Sequence, residues 1–259
     1  ASSVNFSPTG SVTISGTATE DQVLTASNTL VDADNIVGNI NYQWTRDGIN
    51  ISGATSTTYT LVQADVGKAI KVAASYTDAG GAFENVTSSP TSTVVNVSHA
   101  VTGAVTISGT ATEDQVLTAS NSLADADGLG TISYQWTRGG VDISSATSST
   151  YTLVQADVGA VIKVVASYTD SAGAAETVTS SATTAVANVN DTATGAVSIN
   201  GTSTQGQTLT ATNNLADADG LGTIGYQWTR NGVDISSATS STYTLVQADV
   251  GKAIKVVAS

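Results

Sequence analysis

Cysteine and methionine are absent from the 259 residues, histidine occurs once, and lysine and arginine together occur only 8 times. Without cysteine there is no disulfide framework, no thiolate metal site and no cysteine nucleophile. The missing initiator methionine reads as the mark of a processed chain or an excised piece. The 8 basic residues stand against 21 acidic ones, a formal charge of −13. Such a field repels nucleic acid and anionic membrane and draws cations. No apolar run reaches the length of a membrane span, which argues against membrane insertion. Ala1 to Gly10 has neither a charged nor an apolar signal region, so any secretion signal is expected outside this sequence.

What remains is a chain with 11% charged and 40% hydrophobic residues. The hydrophobic residues alternate with Ser, Thr and other polar residues, the pattern of half-buried strands rather than of a disordered chain. The sequence also repeats. Gly10, Gly103 and Gly195 open a shared segment at spacings of 93 and 92 residues, and Trp44, Trp136 and Trp228 are each 92 apart. The odd residue lies between glycine and tryptophan, where DADNIVG (32–38) replaces DADGLG (125–130). An insertion tolerated there predicts a loop.

In the second copy, Val105 and Ile107 alternate with polar neighbours, Leu117, Ala119 and Leu123 share a face, and Ile132, Tyr134 and Trp136 share another. Asp47-Gly48, Gly139-Gly140 and Asn231-Gly232 then occupy one position in the three copies. These dipeptides tolerate positive φ at both central positions of a type I′ turn, so each predicts a two-residue hairpin. Short strands follow around Tyr151 and Leu153, around Ile162 to Ala166 and around Val178, with a turn at 156–159 and no helical segment. About seven antiparallel strands in some 90 residues, with a core tryptophan on the third, predict an immunoglobulin-like sandwich. The fold class expected is all-β, tandem immunoglobulin-like β-sandwiches in an extended array. Residues 1–9 form a linker, 10–102, 103–194 and 195–259 are the repeats, and the third lacks its final strand. Strands at about 3.3 Å per residue plus loops make roughly 35 to 40 Å per copy, so three copies span on the order of 100 Å.

Immunoglobulin order brings the loop with Asp125 and Asp127 and the loop with Asp170 and Glu176 to one pole, facing the preceding linker. Asp32, Asp34, Asp78 and Glu84 repeat the set in the first copy, and Asp217 and Asp219 keep half of it in the third. Clustered carboxylates repel one another unless they separate or hold a cation, and oxygen-only donors suit calcium. The same acids also suit solvated turns, where Asp is favoured, and the EF-hand spacing is not met. His99, between copies, is expected to be exposed and inert. The stretch GLGTIG (220–225) spells a dinucleotide fingerprint but precedes a strand instead of following one. No catalytic constellation emerges.

The strings DADGLGTISYQW (125–136), YTLVQADVG (151–159) and SYTD (167–170) resemble the Ig-like repeats of very large bacterial surface proteins, the extender modules of RTX-type adhesins and related cadherin-like arrays. The resemblance implies a structural stalk at the cell surface or outside the cell, partnered by further repeats of its own polypeptide, with a tip ligand not named by these residues. Val189-Asn190-Asp191 is similar to the junction motif of cadherin-like repeats, which implies calcium between domains with Asp191 as a ligand. The first junction departs from it with Ser98-His99, and the N-terminus with Asn5-Phe6. Two other readings stand beside the stalk: a subunit that assembles with copies of itself into a fibre or surface layer, and a module binding a glycan or protein.

Overall fold

The computed structural model describes residues 4–259. Its regular structure is strand and one-turn 3₁₀ helix, with no α-helix among the described residues: the fold is all-β, built of tandem immunoglobulin-like sandwiches. The first copy has strands β1 (Val12–Ser15), β2 (Val23–Asn28), β3 (Ile36–Arg46), β4 (Ile49–Asn50), β5 (Thr58–Thr60), β6 (Ile70–Asp78) and β7 (Phe83–Thr87). They form two sheets, in the orders β1-β2-β5 and β4-β3-β6-β7. Leu24 and Ala26 from one sheet meet Trp44, Ile70, Val72 and Ala74 from the other in a core closed by Leu61 and Val94. Alternation explains this, since β6 buries every second residue from Ile70 to Asp78.

By contacts the chain divides into two compact units, one made of residues up to Val105 with Asn121–Tyr134 and Val165–Thr179, the other of Thr106–Ser120, Gln135–Val164 and Ser180–Ser259. The second copy has β8 (Val105–Ser108), β9 (Val116–Asn121), β10 (Ser133–Arg138), β11 (Val141–Asp142), β12 (Thr150–Thr152), β13 (Ile162–Thr169) and β14 (Ala175–Thr179). The third has β15 (Val197–Asn200), β16 (Thr208–Asn213), β17 (Tyr226–Arg230), β18 (Val233–Asp234), β19 (Thr242–Thr244) and β20 (Ile254–Ala258). Its sheets run β15-β16-β19 and β18-β17-β20.

The expected hairpins form. Asp47 and Gly48 have φ of 47° and 83°, Gly139 and Gly140 55° and 89°, Asn231 and Gly232 46° and 82°. The tryptophans are fully buried, as expected of core residues. Each donates its indole N–H to a carbonyl twelve residues on, Ser56, Ser148 or Ser240, at 2.8 to 2.9 Å. The glycines that mark the repeat are also explained: at Gly103 (φ +90°) a Cβ would lie 2.2 Å from the Ser122 carbonyl oxygen. Gly103→Ala is therefore expected to cost about 2 to 3 kcal/mol in urea unfolding, from backbone strain and a clash that no rotamer relieves.

Three details differ from the sequence reading. The extra residue of the first copy does not sit in a loop; β3 continues through it to pair Ile36 with Asp78, with the register shifting between Val37 and Asn41. A bulge absorbs an added residue while keeping the flanking pairs. The turn at 156–159 overlaps a 3₁₀ turn, Gln155–Asp157, whose counterparts are Gln63–Asp65 and Gln247–Asp249. Finally, β14 is not the last paired stretch of its copy: Val186 and Ala187 make parallel bridges to Val158 and Thr112, as Val94 and Val95 do to Val66 and Thr19. This places the chain beside the turn after β1 just before it leaves the copy.

Candidate functional site: carboxylates at the repeat poles and linkers

At the upper pole of the first copy the loop after β2 and the loop after β6 meet, with the Ala79 N–H donating to the carbonyls of Asp34 and Asn35 at 3.2 and 3.0 Å. The pairing of loops expected at this pole is thus present. Asp32 is buried; its Oδ1 accepts the Asp34 N–H at 2.8 Å and its Oδ2 the Tyr76 hydroxyl at 2.7 Å. Burial, then the bond to Asp32, raises the Tyr76 phenol above its ordinary range and keeps it a donor. Asp78, 3% exposed, accepts the Ala82 N–H with Oδ1 at 2.8 Å, while its Oδ2 is buried without a partner. Glu84 is steered by the Asn5 side-chain amide at 2.8 Å. Carboxylate oxygens of Asp32, Asp78 and Glu84 come within 4.8 Å of one another.

In the second copy Asp125 accepts the Tyr168 hydroxyl at 2.5 Å and Asp170 Oδ2 is again buried without a partner. Asp125, Asp170 and Glu176 are not among the groups that close to the same spacing. Ser98 stands where Asn5 stands in the first copy, so the amide that draws Glu84 inward has no counterpart.

The second Asp of each loop does something different, which divides the four-acid group expected from sequence. Asp34, Asp127 and Asp219 turn to the linker and accept the backbone N–H of Phe6, His99 and Asp191 at 2.7, 2.5 and 2.7 Å. Asp217 instead accepts the Asp219 N–H at 3.0 Å. From the other side, Glu20 accepts the Val97 N–H at 3.2 Å and Glu113 the Val189 N–H at 3.3 Å. Each linker is therefore gripped by a carboxylate of the copy it leaves and another of the copy it enters.

Glu113, Asp191 and Asp219 bring ligand atoms within 4.8 Å of one another, and Asp219 Oδ1 is buried without a partner. At such spacing two like charges cost on the order of 3 to 4 kcal/mol at an effective dielectric near 20. Glu20 and Glu113, 2% and 3% exposed, were not legible as site residues in the sequence. The available signal was an acid recurring before the strand of Leu24 and Leu117, replaced by Gln205 in the third copy.

His99 is not the inert residue expected. Its ring lies 3.4 Å from Asp127 through Nδ1 and 3.2 Å from Asp21 through Nε2, and its side chain is 30% exposed. Those contacts, Asp127 first and Asp21 second, raise its pKa. The His99 backbone N–H in turn lowers that of Asp127.

No protein-family profile and no curated protein matches the chain. Among solved structures it is similar to three N-terminal domains of the highly immunogenic outer capsid protein of bacteriophage RB49, at 16% identity over 96% of this chain and 91% of that one (TM-score 0.24). It is similar to a tetra-tandem repeat in the extending region of a large adhesion protein, at 16% identity over 97% of this chain and 70% of that one (TM-score 0.33). A third likeness is to a Ca²⁺-stabilized adhesin that helps an Antarctic bacterium reach out and bind ice, at 16% identity over 98% of this chain and 66% of that one (TM-score 0.28). Likenesses this distant leave what the chain binds to its own residues.

Proposed function

We propose that these repeats are extender modules of a bacterial cell-surface or secreted adhesin, non-enzymatic sandwiches in series that hold another domain away from the surface. The observation that carries this is the double grip on each linker, Glu20 and Asp127 on one, Glu113 and Asp219 on the other. A stalk keeps its reach only if its joints resist bending, and backbone bonds to carboxylates that are buried at Glu20, Asp127 and Glu113 and half-buried at Asp219 fix the joint rather than the linker's side chains. We take 10–102, 103–194 and 195–259 as the repeating modules, with further modules of the same polypeptide as their partners.

Calcium fits the acidic groups. Their donors are oxygens, and the buried, unpartnered atoms of Asp78, Asp170 and Asp219 ask for a positive partner. Asp191 with Glu113 and Asp219, and Asp32 with Asp78 and Glu84, are the residues that would hold it. The ion supplies charge neutralisation there and ties a linker or loop to the pole beside it.

Scanning calorimetry tests this. At calcium near one hundred times a dissociation constant of about 0.1 mM, each filled site adds about 2.7 kcal/mol by mass action. Chelator should lower the melting temperature, and Asp219→Asn and Asp78→Asn should each blunt the response, with the second junction responding more than the first. Superimposable curves in chelator and in calcium would sink the calcium part of the reading.

The fibre reading has one observation in its favour. Ile49, Val141 and Val233, at the same place in each copy, are 75%, 71% and 71% exposed. Light scattering that shows concentration-dependent growth would favour it.

A further inference from the structure

The two junctions use the same three positions with one exchange: Glu20, His99 and Asp127 at the first, Glu113, Asp191 and Asp219 at the second. An imidazole thus stands where the second junction has a carboxylate. We propose that Glu20, His99 and Asp127 form a site for a borderline divalent cation of the zinc class, a site distinct in residues and ion from the calcium groups above.

The geometry supplies the first argument. One ligand atom from each of the three residues lies within 4.8 Å of the others. His99 Nδ1 and Asp127 Oδ1 are 3.4 Å apart, long for a hydrogen bond. Two ligands held at about 2.0 to 2.1 Å from a tetrahedral ion stand about 3.3 to 3.4 Å apart, so this separation is already that of a zinc coordination edge.

Orientation supplies the second. A metal-bound imidazole nearly always donates its other ring N–H to a carboxylate, a backbone carbonyl or a water, which fixes the tautomer and leaves the facing nitrogen as the ligand. Asp21 Oδ2 at 3.2 Å from Nε2 takes that place, and Nδ1 is left facing the cluster. The acids are also held in advance: Glu20 and Asp127 are 2% and 1% exposed and are bonded to the Val97 and His99 N–H groups. The 30% exposed imidazole keeps a path open to solvent.

Ligand chemistry selects the ion. Calcium prefers oxygen alone, whereas imidazole nitrogen suits zinc, nickel and copper. Three carboxylates around one neutral ring leave the junction negative, which favours a divalent cation further. Binding displaces any proton on Nδ1 to solvent and changes no oxidation state. The two joints would then answer to different ions.

The test uses the full chain without a histidine tag, titrated calorimetrically with zinc at neutral pH in millimolar calcium, so that oxygen-only sites are filled beforehand. One equivalent of zinc is expected to bind, with affinity falling at least about tenfold in His99→Ala. Cobalt(II) should give the intense visible bands of a tetrahedral ion with wild type only. His99→Asp rebuilds the acid set of the second junction and is expected to lose zinc and gain one calcium equivalent, which tests the site even where the alanine variant folds poorly. Equal zinc affinity in wild type and His99→Ala, or no zinc binding to wild type, would overturn the proposal. Either result leaves the calcium response of the second junction to its own calorimetry, and the extender reading to the scattering of the full chain.

Discussion

Trp44→Ala is expected to lower the stability of the first copy by about 3 to 5 kcal/mol, the range for deleting a large aromatic from a packed core. Trp44 is fully buried, stacks on Tyr59 at a centroid distance of 5.7 Å and ties strand to loop through the Ser56 carbonyl. The substitution removes all three and opens a cavity among Leu24, Leu61 and Val72. At about 4 to 8 °C per kcal/mol for a domain of this size, a melting transition at least about 12 °C lower should separate from the rest of the scan. A shift of under about 4 °C would mean that the tryptophan is not the centre of its core.

Asp65→Ala is expected to cost about 3 kcal/mol, although Asp65 lies on a single 3₁₀ turn. Its fully buried carboxylate accepts the Arg46 guanidinium at 2.7 Å, the Tyr59 hydroxyl at 2.9 Å and the Val62 N–H at 2.9 Å. The Tyr59 phenol is pushed up to about 12, by burial first and the bond to Asp65 second, and so remains a donor. Removing the carboxylate strands all three donors. The Arg46 side chain is 29% exposed and its guanidinium regains some water, which is why the upper end of the range for a broken buried pair is not expected. Asp65→Asn keeps the shape and an acceptor, and its loss in urea unfolding should be clearly smaller. The network recurs at Asp157 with Arg138 and Tyr151 and at Asp249 with Arg230 and Tyr243, so the same hierarchy is expected in each copy.

The strands were legible because each buries one face, so alternation and position coincide, and the hairpins because only certain dipeptides tolerate two positive φ values. The extra residue near Gly38 was misplaced for a related reason: a bulge and a loop both absorb one residue, and only the pairing of Ile36 with Asp78 tells them apart. At the site, the sequence brought the right loops together but could not separate Asp125 from Asp127. One turns to a tyrosine of its own copy and the other to the backbone of the incoming linker. Glu20, Glu113 and His99 were hidden because their role depends on contacts far apart in the chain, 76 to 77 residues for each Glu with the end of its own copy and 28 for the histidine with the next one. Local pattern does not encode separations of that kind.

The most direct test of the extender account is small-angle scattering of the full chain in millimolar calcium. Three sandwiches in line, on the order of 100 Å long, give a radius of gyration of about 30 Å, against about 18 Å for a single globule of 259 residues. The account predicts the larger value in calcium, with a broader distance distribution in chelator as the joints loosen. A radius of gyration near that of the globule, in calcium, would contradict it.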